Sequence, residues 1–99
     1  MTNEQIEKAE QMGAKRWQSY GKDRLYINAR TLGYSWDYYN SGNIHHAYLD
    51  GASISNSEMR RVLGSKTYID VETGKVVKGY DEYNYGKKVD EFVKELSII

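Results

Sequence analysis

From Arg24 to Asn28 polar and apolar side chains alternate (Arg24, Leu25, Tyr26, Ile27, Asn28), and strict alternation over so short a run reads as a half-buried β-strand. The preceding run, AKRWQSY, alternates as well. A Gly-containing turn, Gly21-Lys22-Asp23, joins the two into a hairpin with Trp17, Leu25 and Ile27 as the expected inward residues. Residues 29–33 (ARTLG) read as a single helical turn closed by Gly33. The aromatic runs SWDYY and NIHHAYL then form a second hairpin around Asn40-Ser41-Gly42-Asn43. If that loop closes Tyr39 against Ile44, then Tyr34, Trp36, Tyr38, His45, Ala47 and Leu49 share the face expected to meet the core. Asp37, Tyr39, Ile44, His46 and Tyr48 share the outer face, with Asp37 directly opposite His46. A third hairpin, TYIDV-ETG-KVVKG, carries β-branched residues on both arms and Gly74 at its turn.

Three segments switch to helical periodicity. Thr2 and Gln5 fit a capping box ahead of Ile6, Ala9 and Met12, and this helix ends at Gly13. Ser55 as N-cap, Glu58 three residues on and Ile54 facing Met59 start a central helix that stops at Gly64, with Arg60 and Arg61 where the macrodipole favours cations. After the aromatic link YDEYNYG, Val89, Phe92, Val93 and Leu96 give the amphipathic stripe of a C-terminal helix within KKVDEFVKELSII. The expected fold class is therefore α+β: a small antiparallel sheet built from hairpins, packed with about three helices in a single domain spanning residues 1–99.

Composition shifts attention to the surface. Ten Tyr against one Phe supply rings that can be buried while their hydroxyls stay at a wet edge, the compromise favoured at interfaces. The plainer reading of any single Tyr is that a thin fold leaves its hydroxyl outside. Fourteen basic and fourteen acidic residues cancel, so no overall field draws the chain to nucleic acid, and it is no polyanionic mimic of DNA. With no cysteine there is no disulfide framework or thiolate metal site, which fits a reducing compartment. No apolar run reaches ~18 residues and no charged-then-apolar leader is present, so a cytoplasmic protein without a membrane span is expected.

Neighbouring strand residues point to opposite faces, so adjacent His45 and His46 are not expected to share a metal. No phosphate-cradling glycine loop and no nucleophile-elbow pattern occurs, and neither enzymatic activity nor a cofactor is expected. The first hairpin does interleave bases with rings: Lys15, Arg16, Tyr20, Lys22 and Arg24, beside Trp17 and Tyr26. That is the composition of a single-strand stacking platform. The alternative is an ordinary amphipathic hairpin with Trp17 in the core, and the balanced charge favours the alternative.

Taken in order, KRW, DRLYIN, LG before an aromatic strand, YYNSGNI, ISNSE and KTYIDVETGKV resemble a recurrent family of small uncharacterised proteins carried by Firmicutes, their phages and mobile elements. The resemblance covers roughly residues 15–77 and leaves out the helices at each end. It implies an accessory protein of mobile DNA, in a class where anti-CRISPR and related anti-defence inhibitors act by occluding surfaces of a host nuclease complex. It brings no catalytic residues to carry over. The expected function is such an inhibitor, presenting Tyr39, Ile44, His46, Tyr48 and Asp37 to a host defence protein, for example a CRISPR effector complex. The competing reading is a nucleic-acid-binding accessory protein that uses the first hairpin.

Overall fold

Leu25 and Ile27 on one side of a strand, and Arg24 and Tyr26 on the other, set the two sides of the molecule in the computed structural model, which describes residues 1–97. In chain order the elements are α1 (Asn3–Gln11), β1 (Lys15–Ser19), β2 (Lys22–Ile27), a 3-10 turn (Arg30–Leu32), β3 (Tyr34–Tyr38) and β4 (Ile44–Leu49). There follow β5 (Ala52–Ser53), α2 (Asn56–Gly64), β6 (Thr67–Asp70), β7 (Val76–Val77) and α3 (Tyr85–Leu96). This is the α+β class expected, with three α-helices among the described residues. The hairpins form two antiparallel sheets instead of one: a four-stranded sheet in the order β1-β2-β6-β7 and a three-stranded sheet in the order β3-β4-β5.

One contiguous core joins them. Leu25, Ile27, Ile69 and Val71 lie buried with Ile6 and Ala9 of α1 and Val89, Phe92 and Leu96 of α3. In the same core are Tyr34, Ile44, Ala47 and Leu49 of the second sheet and Met59 and Val62 of α2. Lys88 of α3 pairs with Asp50 just beyond β4, which ties that helix to the second hairpin.

The helix signals are realised as hydrogen bonds. Thr2 Oγ1 accepts from Gln5 N at 3.1 Å, while the Gln5 side chain accepts from Thr2 N at 2.9 Å, closing the capping box. Ser55 Oγ accepts from Glu58 N at 3.1 Å at the start of α2. Ser55→Ala leaves that donor without its cap, and the expected cost is about 1 kcal/mol in urea unfolding. An unchanged midpoint would show that the cap contributes nothing. α3 begins earlier than its stripe suggests, because Tyr85 and Gly86, assigned from sequence to the link, are buried in its first turn. The last two residues of the C-terminal stretch, Ile98 and Ile99, lie outside the described residues.

Two expectations of facing fail, each through a one-residue change of phase. The first hairpin turns on Tyr20 and Gly21 alone, both at positive φ (50° and 75°), the geometry of a tight two-residue hairpin turn. Shifting the turn from Gly21-Lys22-Asp23 to Tyr20-Gly21 pairs Trp17 with Arg24, so Trp17 leaves the face of Leu25 and stands 49% exposed. In the second hairpin Asp37 does lie opposite His46, but Tyr38 pairs with Ile44, so His45 is an extra residue in β4. This β-bulge changes the phase of the strand. Ile44, expected outside, is 7% exposed and joins Ala47 and Leu49 in the core, while His45, expected inside, is exposed. Tyr38, also expected inside, is 56% exposed beyond the edge of the core, where its hydroxyl accepts from Trp36 Nε1 at 2.9 Å. Trp36 is only half-buried, with the Arg30 guanidinium 4.2 Å from its ring centroid.

Candidate functional site

β3 and β4 supply the side chains of the outer face of the second sheet. Because the bulge adds one residue, His45 and His46 turn to the same side and their rings lie 3.7 Å apart, centroid to centroid. Tyr39 continues the row 4.2 Å beyond His45, and Tyr48 lies 6.1 Å from His46 on the other side. The result is a row of four rings, Tyr39-His45-His46-Tyr48. Of the five residues proposed for this face, Tyr39, His46, Tyr48 and Asp37 are brought together, with Tyr48 half-buried, and Ile44 is withdrawn into the core.

Asp37 is the charged member of the group. Its Oδ1 accepts from His46 N at 2.8 Å, fixing the carboxylate across the hairpin. His46 Nδ1 lies 3.4 Å from Asp37 Oδ2, and His45 Nδ1 lies 3.8 Å from Asp37 Oδ1. Partial desolvation pushes the Asp37 carboxyl up, but the His46 backbone and side-chain hydrogen bonds and the two imidazoles outweigh it and hold it below its ordinary value. Both imidazoles and the carboxylate are exposed, so this is a surface constellation.

The outer face of the first sheet holds a second row of rings. Trp17 meets Tyr26 edge-on at 6.5 Å, and Tyr26 lies 5.5 Å from Tyr68 of β6. The Arg24 guanidinium stacks over Tyr68 at 4.2 Å. Of the basic residues assigned to this hairpin, Lys15 and Lys22 are exposed, and the register sets both on the side of Trp17. Arg16 instead occupies the side of Leu25, where its guanidinium holds both Asp23 oxygens at 3.0 and 2.7 Å. Tyr20 projects from the turn at 99% exposure. Sequence reasoning missed Tyr68 and Lys66, which join this surface only because β6 pairs with β2, and no local signal specifies that pairing.

A groove of about 370 Å³ runs beside this surface, with Trp36, Leu63, Lys66 and Tyr85 in its wall. Among the described residues its lining holds no histidine and no carboxylate, and its polar side chains include those of Lys15, Lys66, Tyr26, Tyr85, Asn28, Ser65 and Thr67. Among the described residues no helix is long and apolar enough to cross a membrane. Comparison of the chain with protein-family models, curated proteins and solved structures finds no match.

Proposed function

We propose that this chain is an inhibitor of a bacterial defence system, encoded by a phage or mobile element and anti-CRISPR-like in action. It docks the outer face of β3 and β4 on a host nuclease complex in the cytoplasm and occludes it, working by occupancy rather than turnover. The observation that carries this reading is the row Tyr39-His45-His46-Tyr48, in which His45, His46 and Tyr48 stand on β4 and Tyr39 follows the end of β3, its backbone N–H held by the Asn43 carbonyl at 2.8 Å. Rings on a fixed backbone lose little conformational freedom on binding, which is why aromatic side chains dominate interface hot spots.

Tyr39→Ala and Tyr48→Ala are each expected to leave the fold intact and weaken the complex by ~2 kcal/mol or more, as central aromatic hot spots do. The measurement is capture of a nuclease complex from a host lysate, followed by its DNA cleavage in the presence of the parent and of each variant. Cleavage blocked by the parent and restored by the variants supports the reading. Equal inhibition by all three proteins, or a captured partner that is not part of a defence nuclease, sinks it.

A second reading rests on the Trp17-Tyr26-Tyr68 row with Arg24, Lys15 and Lys66 around it, an open sheet face on which unpaired bases could stack. It requires affinity for single-stranded RNA or DNA that falls steeply with salt. Occlusion of a protein carries no such requirement.

A further inference from the structure

The geometry points to a divalent transition-metal site formed by Asp37, His45 and His46, with the imidazole Nδ1 atoms and the carboxylate as donors. One ligand atom from each of the three residues, a ring nitrogen of each histidine and a carboxylate oxygen, lies within 4.8 Å of the others. Around a tetrahedral ion with bonds of ~2.1 Å, neighbouring donors stand about 3.4 Å apart. Each imidazole already approaches that figure with one carboxylate oxygen, His46 Nδ1 at 3.4 Å from Oδ2 and His45 Nδ1 at 3.8 Å from Oδ1. The third side, between the two imidazoles, is closed by side chains that are all exposed and free to rotate toward an ion.

Adjacent histidines on a regular strand could not do this. The site exists because the bulge turns both rings to one face, where they stack at 3.7 Å with both Nδ1 atoms on the same carboxylate. The His46 backbone N–H bond to Asp37 Oδ1 holds that carboxylate in place, the supporting role that outer hydrogen bonds play at metal sites. Two imidazoles and one carboxylate suit Zn²⁺, Co²⁺, Ni²⁺ or Cu²⁺, whereas Mg²⁺ and Ca²⁺ prefer all-oxygen ligands. Three protein donors leave at least one coordination position to water on the open surface. The proposal does not rest on the docking function, because the donors come from one chain and can be loaded without any partner.

The test uses the tag-free full chain. Zn²⁺ is titrated calorimetrically, and Co²⁺ is followed by its visible absorption, which reports coordination geometry. The expected result is saturable binding of one ion per chain in the micromolar range, with no response to Mg²⁺. Asp37→Asn, His45→Gln and His46→Gln should each weaken binding by about tenfold or more. All three side chains are exposed and Asn keeps an acceptor for the His46 N–H, so circular dichroism of the variants should match the parent. If one variant unfolds, the amide shifts of the parent on Zn²⁺ addition decide, and they should centre on residues 37 and 45–46. Failure to saturate below millimolar Zn²⁺, variants that bind like the parent, or shifts centred elsewhere would overturn the site. Nuclease inhibition assayed in chelator stands apart from all of these readouts, so loss of the metal site and loss of the docking function are separable.

Discussion

Gly79→Ala is expected to destabilise the fold by about 3 kcal/mol, at the upper end of what overpacking costs. A methyl group at this position would overlap the backbone of Lys66, with its carbonyl oxygen at 2.6 Å and carbonyl carbon at 2.9 Å. Backbone cannot swing aside as a side-chain tip can. The approach is close because the Gly79 N–H donates to Thr67 Oγ1 at 3.1 Å, and that oxygen also shares a 2.7 Å hydrogen bond with the Tyr85 hydroxyl. Thr67 and Tyr85 are both almost fully buried, so forcing the strand end and the crossing segment apart disturbs polar groups that have no water to turn to. Gly64→Ala is the matched control. A methyl there meets nothing within 4 Å, and at the last position of α2 alanine is the better helix former. Urea unfolding should separate the pair, Gly79→Ala lowering the midpoint and Gly64→Ala holding or raising it. Equal midpoints for Gly79→Ala and the parent would mean that the two segments can part at no cost.

The asymmetry between these two glycines also describes what the sequence made legible. Local signals were readable: the Thr2 and Ser55 caps, the end of α2 at Gly64, the helical stripe of Val89, Phe92 and Leu96, and the pairing of Asp37 with His46. Each depends on residues close in sequence or across one tight loop, where hydrogen-bond geometry leaves few choices. Phase was not readable. Whether the first turn holds two residues or three decides which way Trp17 points, and Tyr20 at positive φ is an unfavourable residue for the turn the protein adopts. The bulge at His45 is set by the core, because it lets Ile44, Ala47 and Leu49 share one face. The same step that buries Ile44 brings His45 and His46 together on Asp37. Strict alternation, applied to IHHAYL, necessarily separates the two histidines. The fold class survives such slips, because one extra residue does not change which segments are strands. The candidate site does not, since it consists of which side chains share a face.

Above pH 10 the parent protein is expected to lose stability faster than Tyr34→Phe does. The Tyr34 side chain is buried at 2% exposure, its ring 6.2 Å from that of Tyr85, and its hydroxyl has no hydrogen-bond partner among the described residues. Burial, reinforced by Glu58 and further phenols and carboxylates, disfavours the phenolate and pushes the Tyr34 pKa from 10.0 to about 12. An unfolded chain therefore releases this proton near pH 10 while the folded chain keeps it to about pH 12. Between those values the unfolded state binds fewer protons, so the free energy of unfolding falls as pH rises. The contribution is present in full below pH 10 and is lost across the window, about 2 kcal/mol of it by pH 11.5 at 1.36 kcal/mol per unit. Every other ionisable group is common to the two proteins, so the comparison with Tyr34→Phe isolates this one. At pH 9 the variant should match or exceed the parent, because it removes a buried hydroxyl that bonds to none of the described residues. Urea unfolding at pH 9 and pH 11.5 measures both effects. Parallel losses in the two proteins would show that the Tyr34 hydroxyl reaches water in the folded state.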